Sequence, residues 1–198
     1  VTVHRTLAAR TRFTLDPVKG SRFVATLGPA RDEDEARALL ESVRAEWPNA
    51  THHCWAWRLS DGRSRSSDDG EPGGSAGRPI LAQIEGHEIE DAVVVVTRWY
   101  GGTKLGVGGL IRAYGGCAGK ALDAAEVIET ARTVPLVLTH GYADTGAVQA
   151  ALSAAGITPE DTTFEAEVVV RLAVPEADVD GLARRLVDAT AGRARVER

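Results

Sequence analysis

Two stretches of this 198-residue chain combine residue types that could do chemistry. The first is Arg98-Trp99-Tyr100-Gly101-Gly102-Thr103-Lys104-Leu105-Gly106, which follows four consecutive valines and precedes a helical pattern. Seven glycines occupy the sixteen positions 101–116. A glycine-rich turn feeding a helix N-terminus leaves backbone N–H groups unpaired, and with the helix dipole they form an anion site. Lys104 in the turn and Arg98 just before it can reinforce a bound phosphate. No acidic residue lies between Asp91 and Asp123, whereas Arg98, Lys104, Arg112 and Lys120 do, in a chain whose net charge is −5. The pattern is neither a Walker A loop nor a dinucleotide fingerprint, since both glycine spacings are absent.

The helix that follows adds a second element. At 100° per residue, Gly109, Arg112, Gly116, Gly119 and Lys120 share a stripe about 100° wide. Glycine in a helix interior costs about 1 kcal/mol relative to alanine. The stripe therefore serves either the close approach of a ligand or nucleic-acid backbone, read by Arg112 and Lys120, or close packing against another element. The candidate anion- or nucleic-acid-binding set is Lys19, Arg22, Arg98, Tyr100, Gly101, Gly102, Lys104, Gly106, Arg112 and Lys120.

The second stretch is Ser67-Asp68-Asp69-Gly70-Glu71-Pro72. Three carboxylates within four residues can bind a hard divalent cation, or they can be solvated and paired with Arg63, Arg65 and Arg78 nearby. The loop lacks EF-hand order, and no metal or cofactor is expected. His52-His53-Cys54 resembles a ligand or nucleophile cluster, but on a strand His52 and His53 point to opposite faces, so structural polar positions are expected there and no catalytic residue is assigned. Cys54 and Cys117 form no CxxC pair, which leaves no zinc or disulfide framework.

The elements that position these residues follow from periodicity and turn chemistry. Arg12–Leu15 and Ser21–Leu27 read as strands joined by Asp16-Pro17-Val18-Lys19-Gly20. Asp32–Trp47 reads as a helix, with acids crowding its first turn. Thr51–Leu59 is a candidate strand, and Ser60–Arg78 a long loop of the functional kind. A short helix near Ala76–Gly86 follows. Ala92–Thr97 is a strand buried on both faces. A helix near Val107–Val127 turns Leu110, Tyr114, Cys117, Ala121 and Ala125 inward. Beyond Glu129 come strand Val134–Tyr142, a helix capped by Asp144 and stopped at Gly156, strands Ile157–Glu165 and Glu167–Val174, helix Asp178–Thr190 and a last strand at Arg193–Glu197. That β-α-β-β-α-β order is the ferredoxin-like module. The boundary falls near Thr130–Thr133, giving domains 1–130 and 134–198.

With 43% hydrophobic and 26% charged residues, the chain is an ordinary globular protein. The acidic balance excludes a globally basic nucleic-acid binder but leaves room for a local basic patch. No apolar run reaches the roughly 20 residues of a membrane helix, and no signal-peptide core is present at the N-terminus, so a cytoplasmic location and no membrane partner are expected.

Lys19-Gly-Ser-Arg-Phe23, His52-His53-Cys54, Ser67–Pro72, Ala76-Gly-Arg-Pro79 and Arg98–Gly106 through Gly109-Leu-Ile-Arg-Ala-Tyr-Gly115 resemble the YigZ/IMPACT family. The resemblance implies an α+β, two-domain fold. Its N-terminal part is similar to the left-handed β-α-β domain of a small ribosomal subunit protein, of domain four of elongation factor G and of GHMP kinases. Its C-terminal part is similar to the fifth domain of elongation factor G. The resemblance also links the eukaryotic members to control of translation initiation, and it supplies no catalytic residues. Gly73-Gly74-Ser75 departs mildly from the family's usual Ala-Gly-Thr. The leading expectation is therefore a nucleic-acid- or ribosome-associated protein with a role in regulation of translation. The alternatives are an enzyme binding a phosphorylated ligand, or a regulator that acts through a protein partner.

Overall fold

The computed structural model describes residues 3–198. It divides into two compact units, His4–Thr130 and Ala131–Arg198. In the first, strand β1 (Val3–Leu7) precedes a hairpin of β2 (Thr11–Val18) and β3 (Ser21–Pro29). Val18 pairs with Ser21, so the hairpin loop is Lys19-Gly20, and both residues have positive φ (47° and 81°). Two successive left-handed residues are the geometry that joins twisted antiparallel strands most tightly.

Helix α1 (Glu33–Glu46) starts where Asp32 accepts the Glu35 N–H at 2.8 Å, with Glu33, Asp34 and Glu35 in the first turn. Strand β4 (His52–Arg58), strand β5 (Ser64–Ser67), helix α2 (Gly77–Gly86), strand β6 (Ala92–Trp99), helix α3 (Val107–Ala124) and strand β7 (Val127–Ala131) complete the unit.

Five strands form one sheet in the order β2-β3-β6-β4-β5, with β1 and β7 in a separate two-stranded sheet. Strands β3 and β4 both run antiparallel to β6, hence parallel to each other, and α1 crosses between them. Helix α1 covers one face through Ala36, Leu40 and Val43 against Trp57, Val93 and Val95. Helices α2 and α3 cover the other, where Ile80, Leu110, Tyr114 and Cys117 meet Phe23, Ala25, Cys54, Val94 and Val96. A strand with helices on both faces needs apolar side chains in both directions, which is what the four valines supply. On β4 the same alternation puts Cys54 and Ala56 on the α3 side and Trp57 on the α1 side.

The second unit is a four-stranded antiparallel sheet ordered β11-β8-β10-β9, from β8 (Thr133–His140), β9 (Asp161–Phe164), β10 (Val168–Pro175) and β11 (Arg195–Glu197). Helices α4 (Thr145–Ala154) and α5 (Val179–Ala189) pack on it through Val148, Leu152, Leu182 and Leu186, giving the β-α-β-β-α-β module. The chain is thus a two-domain α+β protein.

Three local expectations need correction. The loop expected over Ser60–Arg78 contains β5, a short polar edge strand paired with β4, which leaves no apolar alternation to read. The helix expected to reach Val127 ends at Ala124, because Ala125 is extended (ψ 145°) and Val127-Ile128 favour a strand. Asp144 does not cap α4; it lies in a 3₁₀ turn, and its carboxylate accepts from Arg193 Nε at 3.1 Å. Among the described residues no helix is long and apolar enough to cross a membrane.

One backbone contact joins two turns of the first unit. Gly101, just past β6, lies so close to the β2–β3 turn that a Cβ on it would sit 1.9 Å from the carbonyl carbon of Gly20. Only glycine at both positions lets the two turns touch. Gly101→Ala is expected to destabilise the fold by about 1–3 kcal/mol, as overpacking does, read as a lowered urea midpoint at unchanged m. A loss within about 0.5 kcal/mol, the range of a neutral surface change, would contradict this contact.

Candidate functional site

The acidic loop between β5 and α2 sends its three carboxylates to three different places. Asp68 Oδ1 accepts the N–H groups of Ala76 and Gly77 at 2.9 and 2.8 Å, and Oδ2 that of Gly74 at 2.8 Å, so it caps α2 from outside the helix. Burial alone would raise this carboxyl, but the three N–H donors and the charge of Arg78 outweigh it and hold it below the usual carboxylate range. Asp69 has a left-handed backbone (φ 44°); its Oδ2 accepts the His53 N–H at 2.7 Å and its Oδ1 takes Arg44 at 3.2 Å. Glu71 turns into the protein. The three do not converge, and among the described residues no group of three or more His, Cys, Asp or Glu could hold a metal ion.

Arg98 explains the direction of Glu71. Alternation along β6 puts Arg98 on the same face as Val94 and Val96, beneath α3. Its Nη1 donates to Glu71 Oε1 at 2.7 Å, and the two side chains are only 6% and 4% exposed. The Tyr114 hydroxyl of α3 donates to the same oxygen at 2.6 Å, and Arg98 Nη2 donates to Ser21 Oγ at 3.2 Å. Burial drives the Tyr114 hydroxyl far above its ordinary range, so it remains a donor. Burial does the same to the Cys54 thiol, whose S–H donates to the Asp68 carbonyl at 3.0 Å. A thiol held protonated is a poor nucleophile. His52 and His53 separate as alternation requires: His52 Nδ1 lies 2.7 Å from the Asp69 carbonyl, whereas His53 Nδ1 lies 3.1 Å from Thr97 Oγ1 on the other face. Burial lowers the His53 pKa, and Asp69 only partly opposes this.

The cations divide accordingly. Arg98, expected at the mouth of the turn, is buried and its charge is answered by Glu71. Arg22 points to the α1 face and stacks on Trp99 at 3.9 Å, away from α3. Lys19, Lys104, Arg112 and Lys120 are exposed, and none pairs with a carboxylate among the described residues. Lys19, Arg112 and Lys120 line a pocket of about 300 Å³ with Leu105, Gly109 and Gly116. Leu105 also lines a neighbouring pocket of about 320 Å³, with Lys104 at its edge, Tyr100 and Val107 in its wall, and Glu71 and Arg98 beneath.

The glycines of α3 divide too. A Cβ on Gly119 would sit 2.6 Å from Gln83 Oε1 of α2, so this glycine serves helix packing, whereas Gly116 has open space before it. In the turn, Gly102 and Gly106 are exposed and carry positive φ. The first helical bond of α3 runs from Leu110 N to Gly106 O, and no side chain caps the N–H groups ahead of it. Sequence reasoning missed Ser21, Tyr114 and Pro72 as neighbours of the site. Alternation sets Arg98 on the face of Val94 and Val96, and the packing of α3 over that face buries it and calls for an acid.

The family model of the Impact N-terminal domain matches residues 19–122, and a domain of unknown function, DUF1949, matches residues 138–193. The chain is 38% identical over 185 residues to the IMPACT family member YigZ of Escherichia coli, covering 90% of this chain and 89% of that one. It is 39% identical over 181 residues to an IMPACT family member of Thermus thermophilus, covering 91% and 99%. A crystal structure of a hypothetical protein superposes with a TM-score of 0.75 at 34% identity, over 99% of this chain and 97% of the other.

Two stability measurements check the loop. Asp68→Ala is expected to cost about 1–2 kcal/mol, as loss of a helix cap does. Because the folded-state pKa of Asp68 is depressed, its contribution is fully present above the unfolded value near 3.9 and disappears as pH falls through the folded one. The gap between wild type and variant should therefore close on acidification; a gap that widens would contradict the capping role. Glu71→Ala leaves Arg98 buried without its counter-ion and is expected to cost about 3–5 kcal/mol. Unfolding that matches wild type within about 1 kcal/mol would show that Glu71 is not buried against Arg98.

Proposed function

The chain belongs to the IMPACT family, and from that premise we propose that it binds nucleic acid, on RNA or the ribosome, in a role tied to the regulation of translation. One observation supports the binding half of this reading: Lys19, Lys104, Arg112 and Lys120 stand exposed and unpaired on a stretch of surface whose segment 92–122 contains no acid. An acidic protein that keeps four cations free along one helix and its adjoining turns has a local positive field suited to phosphates. Gly116, with open space before it, allows a sugar–phosphate backbone to come close between Arg112 and Lys120. The translation half rests on the family's link to that process.

The site is read as a binding surface, not a catalytic one. Cys54 and Tyr114, the reactive types nearest the pockets, are held protonated by burial. The acidic loop is spent on a helix cap, a histidine N–H and an arginine.

Anisotropy of a labelled single-stranded RNA, titrated with the full chain across a range of salt, tests the reading. Single strands contribute a slope of about −0.7 per neutralised phosphate, so four contacts predict log K falling against log salt with a slope of roughly −3. Arg112→Glu and Lys104→Glu should each weaken binding to every sequence and flatten the slope by about 1 or more. Absent binding, or binding indifferent to salt, overturns the proposal.

A further inference from the structure

The pocket beside Tyr100 has a chemistry that the cationic row does not. Its walls are mostly apolar, with Pro72, Leu105, Val107 and Leu110 among them, and its volume of about 320 Å³ lies at the small end of ligand pockets. Tyr100 and Val107 are about half exposed (47% and 52%), unusual for large apolar side chains set side by side. The floor is the Glu71–Arg98 pair, and that pair is incompletely satisfied. The bonds from Arg98 and Tyr114 both fall on Glu71 Oε1, with His52 Nε2 3.9 Å from the same oxygen, and Oε2 takes no protein hydrogen bond but is not sealed from solvent. On Arg98, Nη1 and Nη2 are bonded, but Nε is buried with no acceptor. Two side chains more than nine-tenths buried thus leave a carboxylate oxygen open at the cleft and one sealed N–H without an acceptor beside it. Buried polar groups left unpaired are costly, and each calls for an explanation such as a water, an ion or a ligand group. Lys104 and the uncapped N–H groups of α3 stand at the rim.

We propose that this pocket receives a single unstacked nucleotide. The base lies against the Tyr100 ring and the aliphatic wall, its Watson–Crick edge faces Glu71, and its phosphate meets Lys104 and the first turn of α3. Single-stranded RNA is read in this way, by stacking splayed bases on aromatic rings and bonding their edges. A carboxylate accepts hydrogen bonds and donates none, so it selects a base that offers adjacent N–H donors. Guanine, with N1–H beside its exocyclic amine, is that base.

The inference rests on the RNA-binding reading for the source of the nucleotide; a free guanine nucleotide offers the same groups, and the test separates the two. Anisotropy with the full chain compares a labelled octauridylate with the same octamer carrying one central guanosine. The guanosine octamer should bind roughly tenfold more tightly, the scale of one bidentate base-edge contact. Tyr100→Ala should return the ratio to about one. Glu71→Gln, checked for folding by circular dichroism, should also abolish the preference; if it does not fold, the Tyr100→Ala ratio alone decides. Guanosine monophosphate should displace the guanosine octamer where adenosine monophosphate does not. A wild-type ratio near one, or a preference that survives Tyr100→Ala, overturns the pocket assignment and leaves the cationic row standing. Calorimetric binding of guanosine monophosphate by a chain that binds no RNA keeps the pocket, with the free nucleotide as its ligand, and removes the RNA reading.

Discussion

Arg98 leaves the central strand of the first domain on its buried face, where water cannot answer its charge. Isolated charges in such a place cost several kcal/mol or more, so the chain must bring an acid to it. Glu71 is that acid, and its arrival pins the acidic loop to the end of β6. Tyr114 from α3 and Ser21 from β3 bond to the two partners, so four separate segments meet at one ion pair. Apolar residues of equal volume would give similar stability at such a position. What the pair adds is location: it holds the loop, the start of α3 and the glycine turn in one arrangement. Asp68 and Asp69 reinforce it by fastening the loop on either side, one to α2 and one to β4.

The electrostatic character of the surface follows from that pairing. With Arg98 neutralised from below and Arg22 turned to the opposite face, the exposed cations lining the two pockets are Lys19, Lys104, Arg112 and Lys120. The chain is acidic overall, and screening confines each charge to about 8–10 Å at physiological salt. A phosphate ligand therefore responds to the local row and not to the net charge of −5. The acid-free stretch 92–122 matters because any carboxylate among those exposed cations would cancel the field at short range.

Much of this was legible in the sequence wherever one element's own pattern decides the outcome. Four valines announce a strand covered on both faces, the acids after Asp32 announce a helix start, and the order of elements after residue 130 spells the ferredoxin-like module. Features that depend on a distant partner were not legible. The basic turn and the acidic loop were each visible, but nothing local says that Glu71 crosses 27 positions to meet Arg98. The stripe of glycines on α3 was visible, but whether Gly119 faces a ligand or Gln83 depends on where α2 packs. Strand β5 is made of serines and an arginine and exists because β4 offers an unpaired edge. Arg98 and Arg22 fall on opposite faces because Phe23, not Arg22, pairs with Arg98, a register that alternation within one strand does not give.

Two separate devices therefore shape one short segment. The contact of Gly20 with Gly101 sets how near the hairpin turn, and Lys19 with it, comes to the turn that carries Lys104. The ion pair sets the floor beneath Tyr100. Residues 98–106 belong to both, and Leu105 forms part of the wall of each pocket. The acid-free turn thus joins an exposed cationic surface to a largely apolar pocket, and Glu71, the acid that answers Arg98, lies buried beneath rather than among the exposed cations.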